Sequence, residues 1–245
     1  MEQVILKIEE NVPIAREVYR MRLSGDVSAV TRPGQFVNLA LSGRFLRRPI
    51  SVCDCRDGVL TLLYKVVGQG TAQMAELPPG ERLDVLTGLG NGFDVENAGS
   101  NKLLIGGGIG AAPLYWLARE LRARGVSATA VLGFNTAADV YYKEEFAAVC
   151  DKTVIATADG SFGVRGFVTD AMAGLACDYY YACGPEPMLR AVWKAGRSDG
   201  ELSFEERMGC GFGACMGCTC KTVTGWKRIC KDGPVLRKGE IAWGD

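Results

Sequence analysis

The chain has 245 residues, ten cysteines and no histidine. Its 28 basic and 28 acidic side chains cancel, which excludes a basic field for nucleic acid and an acidic tail. Without histidine there can be no Ser–His or Cys–His nucleophile pair within the chain, and no His-ligated zinc, haem or Rieske centre.

Residues 1–10 (MEQVILKIEE) show neither the basic start nor the apolar centre of a signal peptide. The longest apolar stretch, residues 103–118, is sixteen residues and contains four glycines and a proline. A membrane span needs about 20 residues, so the stretch reads as a buried strand, turn and helix. These features predict a cytoplasmic chain with no membrane contact, whose thiols stay reduced.

The first hundred residues read as β. Runs at 4–8, 17–23, 35–41, 50–54 and 60–67 are short and rich in β-branched or aromatic residues. Tyr19, Met21 and Leu23 alternate with Arg20 and Arg22, the period of a half-buried strand. Turn signals such as Ser24-Gly25-Asp26, Pro33-Gly34 and Asp57-Gly58 separate the runs. The pattern predicts an antiparallel barrel or sandwich. Within it, Arg48-Pro49-Ile50-Ser51 enters one strand, where an arginine can hold a pyrophosphate in a two-pronged grip and a serine hydroxyl can reach a flavin edge. Leu63-Tyr64-Lys65 lies on the next strand. Gly68-Gln69-Gly70-Thr71 then turns into a short helix whose N–H groups suit phosphate. Taken alone, these residues equally suit ordinary strands and a turn.

The polar segment 91–101 reads as a boundary, after which strands and helices alternate. Strands are expected at 102–105, 126–132, 153–157 and 179–182, and helices at 112–124, 167–173 and 187–195. Such alternation predicts a parallel sheet of βαβ units. Gly106-Gly107-Gly108-Ile109-Gly110-Ala111 follows the first of these strands and opens a helix, with Pro113 near its start. That is the context of a phosphate-binding turn. Cys183-Gly184-Pro185-Glu186-Pro187-Met188 ends the fourth strand. Both segments should face one crevice at the C-terminal strand ends, two ligand-free tight turns being the alternative. Residues 133–142 hold no Lys or Arg to receive a 2′-phosphate, only Asp139, which favours NAD over NADP.

The last forty-five residues hold five cysteines and little helical periodicity. Cys210, Cys215 and Cys218 follow a Cys-x4-Cys-x2-Cys spacing, with Cys230 beyond. This is the plant-type spacing of a [2Fe–2S] cluster. Gly209, Gly211, Gly213 and Gly217 keep the loop thin enough for N–H groups to reach the sulfides. A structural zinc is the competing reading, though it usually takes Cys-x2-Cys pairs at both ends. Cys220 reads as a bystander, and Cys53, Cys55, Cys150 and Cys177 as small core hydrophobes.

As a set, Arg-Pro-Ile-Ser, the glycine turn and Cys-Gly-Pro-Glu-Pro-Met resemble the ferredoxin–NADP reductase superfamily. The segment from Glu205 to Cys218, with Cys230-Lys231-Asp232-Gly233-Pro234-Val235, resembles the electron-transfer subunits of NAD-dependent dihydroorotate dehydrogenases. The resemblance spans essentially the whole chain. It implies an FAD-binding β-barrel over 1–98, an NAD-binding α/β domain over 99–200 and a [2Fe–2S] segment over 201–245. It implies FAD held by Arg48, Pro49, Ile50, Ser51, Leu63, Tyr64, Lys65, Gly70 and Thr71. The NAD side would be Gly107, Gly108, Gly110, Ala111, Pro113, Cys183, Gly184 and Pro185. The cluster ligands would be Cys210, Cys215, Cys218 and Cys230. It further implies an FMN-containing catalytic partner in a heterotetramer of two copies each, with electrons passing from FMN through [2Fe–2S] and FAD to NAD⁺ in pyrimidine (UMP) biosynthesis. Dihydroorotate would be oxidised on the partner, so this chain needs no catalytic acid or base, and Cys183 only a positioning role. The superfamily's frequent C-terminal aromatic flavin cover is missing here. Two alternatives are a related FAD/[2Fe–2S] NAD(P)H reductase subunit serving a sulfite reductase or ferredoxin-linked partner, and a zinc-stapled binding module.

Overall fold

A computed structural model describes residues 1–97 and 99–244. Six antiparallel strands close into a barrel: β1 (Glu2–Ala15), β2 (Val18–Ser24), β3 (Phe36–Leu39), β4 (Arg48–Arg56), β5 (Val59–Lys65) and β6 (Arg82–Leu89). Their order around the barrel is β1-β2-β5-β4-β3-β6, and β6 closes it by pairing with both β3 and β1. β6 lies outside the five runs expected from the sequence. Its alternation of Arg82, Leu83, Asp84 and Val85 breaks at Leu86, because Leu86 and Leu89 leave the barrel interior to join the core beneath the neighbouring sheet. A short helix, α1 (Gln69–Ala75), follows β5. Asn11 ties it down by donating to the carbonyls of Met74 and Leu77 at 2.8 and 2.9 Å.

The second half alternates β7 (Asn101–Gly107), α2 (Ala112–Ala123), β8 (Ser127–Phe134), α3 (Lys143–Val149), β9 (Lys152–Thr157), β10 (Val164–Arg165), α4 (Val168–Ala171), β11 (Tyr179–Cys183), α5 (Glu186–Ala195) and β12 (Asp199–Ser203). The tail adds a hairpin, β13 (Thr219–Thr222) and β14 (Gly225–Arg228), then α6 (Ile229–Asp232) and β15 (Val235–Arg237). The sheet runs β10-β9-β8-β7-β11-β12-β15. It is parallel except for β15, which pairs antiparallel with β12. The parallel sheet is as expected, but it has seven strands instead of four. β12 straddles the expected 200/201 division, and β15 returns the tail to the sheet's edge. The expected end points 98 and 245 lie outside the described residues.

Three apolar cores hold these parts together. One fills the barrel, around Leu6, Met21, Leu39, Leu60 and Leu62. A second joins the barrel to the α2 face of the sheet, bringing Val18, Cys53 and Leu63 against Leu104, Leu114 and Leu117. α2 presents Leu114, Leu117, Ala118 and Leu121 to this core at the helical period. The third underlies the opposite sheet face and includes Ile105, Leu189 and Val192 together with Cys218, Ile229 and Cys230. The polar boundary segment is itself tied in. Phe93 is buried edge-on to Tyr181 at 5.6 Å, and the Asp94 N–H donates to Glu201 Oε2 at 2.9 Å. Among the described residues no helix is long and apolar enough to cross a membrane.

Candidate functional site

Arg48, Pro49, Ile50 and Ser51 start β4 and are all half-buried, forming a ledge on the barrel rim. The β3 pairing sets Arg48 opposite Leu39, Pro49 opposite Asn38 and Ser51 opposite Phe36. Arg48 Nη1 donates to the Leu46 carbonyl at 2.7 Å. Its guanidinium occupies the space a side chain on Gly70 would take, so the strand and the start of α1 meet there. Thr71 Oγ1 accepts from the N–H groups of Val67 and Gly68 at 2.9 and 3.2 Å, which shapes the turn. Lys65 stands half-buried at the strand end, 3.7 Å from Glu17. Leu63 faces the core between barrel and sheet, whereas the Tyr64 ring points into the barrel. Tyr64 donates its hydroxyl to Asn11 at 2.8 Å and stacks on Tyr19, so only its backbone is offered outward.

The glycine turn lies where the sheet order reverses, between β7 and β11, the usual ligand crevice of such sheets. Cys183 is in register with Gly106. A Cβ at Gly110 would lie 2.5 Å from the Cys183 carbonyl oxygen, and one at Gly184 would lie 3.2 Å from Gly107 Cα. The two segments are therefore in direct contact. Gly108 adopts φ +53°, and its carbonyl accepts from the Tyr141 hydroxyl at 2.9 Å. Ala111 and Pro113 are buried and pack the turn, whereas Pro185 is exposed at the crevice lip. Burial pushes the Cys183 thiol up to about 12, with a Ser203 hydrogen bond opposing, so it stays protonated at neutral pH. β5 touches this turn, which places the barrel that carries the ledge beside the crevice.

Four of the five tail cysteines fall into two neighbouring pairs. Cys218 and Cys230 are buried, and the Cys230 N–H donates to Cys218 Sγ at 3.4 Å. Burial and the neighbouring Cys218 push the Cys230 thiol up to about 12. Cys210 and Cys215 lie outward, with Cys215 exposed. Burial alone would raise the Cys210 thiol, but N–H groups of Cys215, Phe212 and Ala214 and the Cys215 thiol bring it down to about 6. Ala214 and Cys215 donate to its sulfur at 3.3 and 3.4 Å. Among the described residues no three His, Cys, Asp or Glu side chains converge as a single metal ion would need. Cys210 also acts on the Cys230 thiol, so the two pairs adjoin, and four thiols with N–H groups aimed at sulfur are a donor set that an iron–sulfur centre would accept. Cys220 sits half-buried on β13, its thiol raised by burial, outside both pairs.

Asn38 connects the ledge to the cluster loop and was not anticipated. It is 1% exposed, its Nδ2 donates to the Cys210 carbonyl at 3.2 Å, and its Oδ1 is buried without a protein partner. An orphaned buried acceptor opposite Pro49 is what a flavin-bearing ledge can satisfy. Its only sequence signal is a polar residue amid Phe36, Val37 and Leu39. The ledge thus touches the cluster loop through Asn38 and the glycine turn through β5.

Two family models match the chain: the iron–sulfur cluster binding domain of dihydroorotate dehydrogenase B over residues 205–242, and the oxidoreductase NAD-binding domain over residues 104–194. The dihydroorotate dehydrogenase B (NAD⁺) electron transfer subunit of Bacillus caldolyticus is 49% identical over 244 residues, covering 93% of this chain and 94% of that one. The subunit of the same name from Fusobacterium nucleatum is 42% identical over 250 residues, covering 96% of each chain. Among solved structures, an NADH-dependent reduced ferredoxin–NADP oxidoreductase superposes with a TM-score of 0.89 at 33% identity, covering 98% of this chain and 90% of that one. A ferredoxin–NADP⁺ reductase from Neisseria gonorrhoeae, with a TM-score of 0.66 at 17% identity over 80% of this chain and 90% of its own, shares the fold.

Proposed function

The chain belongs to the electron-transfer subunits of NAD-dependent dihydroorotate dehydrogenase B, and from that footing we propose that it carries electrons from a dihydroorotate-oxidising, FMN-containing partner to NAD⁺ in UMP synthesis. The observation that carries this reading is the ledge lying between the cluster loop and the nucleotide crevice, joined to one by Asn38 and to the other by β5. When bound, a [2Fe–2S] cluster at the tail cysteines would supply one-electron chemistry and FAD at the ledge the coupling of single electrons to a hydride pair.

Arg48 and the first turn of α1, Gly70 and Thr71, hold the flavin's pyrophosphate. Pro49, Ile50, Ser51 and the strand Leu63-Tyr64-Lys65 orient its ring system, Tyr64 through its backbone. Cys210, Cys215, Cys218 and Cys230 hold the iron, with N–H donors to Cys210 and Cys218 stabilising thiolate charge. Gly107, Gly108, Gly110 and Ala111 bring backbone close to the NAD pyrophosphate, with Pro113 starting the helix behind them. Cys183, Gly184 and Pro185 wall the nicotinamide end. Cys183 is neutral and positions without donating charge. We take 1–98, 99–200 and 201–245 as the flavin, NAD and cluster divisions. We take the working assembly as two copies each of this chain and its partner, in the cytoplasm.

The test is the anaerobically reconstituted chain. Flavin absorption together with iron and acid-labile sulfide in equal amounts is expected. A chain that takes up neither flavin nor iron, or that takes zinc in preference to iron, contradicts the reading.

A further inference from the structure

Asn38 has its backbone fixed in the barrel and its side chain in contact with the tail. β3 is paired on both sides at this point, with Asn38 opposite Pro49 on β4 and Leu86 on β6. The Asn38 carbonyl accepts from Arg47 Nη1 at 3.3 Å. Arg47 is itself gripped by Asp84 on β6, whose carboxylate oxygens accept from Nη1 and Nη2 at 3.0 and 2.8 Å. A residue held in this way cannot follow a loop that moves against it, so the loop takes its position from Asn38.

That loop carries Cys210. The Asn38 amide donates to the Cys210 carbonyl at 3.2 Å. Gly211 closes on the same amide: its φ is +81°, and a Cβ there would lie 2.5 Å from Asn38 Nδ2. Because a peptide group is planar, fixing that carbonyl fixes the Gly211 N–H with it. The peptide so held belongs to the residue whose sulfur already accepts from the Ala214 and Cys215 N–H groups. Residues 214–217 of the loop are exposed, so the barrel gives it a fixed point that solvent cannot. The other end of the amide is unusual: Oδ1 is buried and has no partner among the described residues. A buried polar atom left unpaired is a cost that packing alone does not explain, and a redox role is one setting in which it is met.

We propose that Asn38 is a positioning residue for the cluster: from the flavin barrel it fixes the Cys210–Gly211 peptide and so raises the cluster's reduction potential. The inference rests on the iron–sulfur reading above and deepens it. A [2Fe–2S] centre gains one negative charge on reduction, and its potential follows the hydrogen bonds and dipoles around its ligands. The Asn38 N–H places a positive dipole end on the backbone of a ligand and draws negative charge from its carbonyl. Both effects favour the reduced cluster. Asn38 touches the ligand's peptide and acts on the iron through it.

The test reads potential and spectrum, not turnover. The flavin- and cluster-loaded chain is poised anaerobically at a series of potentials, and the reduced cluster is followed by EPR. Asn38→Val suits a buried strand and removes the donor without adding charge. At a fixed potential its ratio of reduced to oxidised cluster is expected to fall about tenfold, a shift of about 59 mV for a one-electron couple. The EPR signal of the reduced cluster is expected to move with it. Asn38→Ala, which also lacks the donor, is expected to shift the same way and serves if the valine variant does not fold. A residue that only holds the loop in place would lower iron content or unfolding stability, while the iron that remains kept its potential and spectrum. That result overturns the inference, as do a rise in potential and the loss of all iron from both variants. An unaltered chain that takes up no iron overturns the iron–sulfur reading and this inference with it.

Discussion

The glycine turn of β7 and the cluster loop are both glycine-rich ligand loops, yet they are built on opposite terms. The turn is enclosed by protein. Gly110 sits against the Cys183 and Gly184 backbone, where a Cβ would come within 2.5 Å of the Cys183 oxygen. The cluster loop stands largely outside, with Ala214, Cys215, Met216 and Gly217 exposed. Its Gly211 is required by a left-handed φ of +81° and by the approach of Asn38. Substituting the first loop disturbs the fold, whereas substituting the second disturbs the ligand's seat. The cluster loop is nevertheless anchored at its back, because Cys218 and Cys230 lie in the same apolar core as Ile105 and Leu189.

Substitutions that probe this contrast can be ranked by size. Gly110→Ala forces the Cys183 segment off β7 and is expected to cost about 3 kcal/mol in denaturant unfolding. A loss no greater than that of a cluster-loop glycine would erase the contrast. Arg48→Ala removes the proposed charge-assisted grip on the flavin phosphate, and FAD affinity should fall about 100-fold while bound iron stays unchanged. Fluorescence titration of the deflavinated chain measures it.

Glu201 supplies the pH dependence. Burial pushes its carboxyl up to about 7, with the nearby Asp94 carboxylate adding to that, while the Asp94 N–H and Arg237 oppose. Because the folded value lies above the ordinary 4.5, its contribution is intact below the ordinary value and is lost as pH rises through about 7. Glu201→Gln should be about 2 kcal/mol more stable than the unaltered chain near pH 8, with the two converging below about pH 5. Thermal unfolding across that range measures it, and parallel curves for the two proteins would contradict it. The smallest effect is expected from Gly211→Ala, about 1 kcal/mol. It should appear as iron loss and faster hydrogen exchange in residues 209–218, with the barrel unaffected.

Chemistry that is local in the chain was legible in the sequence. Cys210, Cys215 and Cys218 lie within one short loop, and the glycine turn directly follows its strand. The Cys183-Gly184-Pro185 segment could be placed beside that turn because parallel sheets bind ligands at one end. What stayed hidden depends on residues far apart in sequence. β6 closes the barrel with a broken alternation, because Leu86 and Leu89 serve a different core. β12 and β15 are strands only because they pair with β11 and with each other. Asn38 reaches Cys210 across 172 residues, and Arg16 reaches Asp139 across 123. The inward Tyr64 ring was likewise invisible, because its partner Asn11 lies on β1.

The central claim is that this chain carries electrons from a dihydroorotate-oxidising partner to NAD⁺. Dihydroorotate-dependent NADH formation by the purified catalytic partner, with and without the reconstituted chain, tests it most directly. Rapid NADH formation only when both are present is the predicted result. A partner that reduces NAD⁺ equally well alone, or a mixture that forms no NADH although the chain carries flavin and iron, would contradict it.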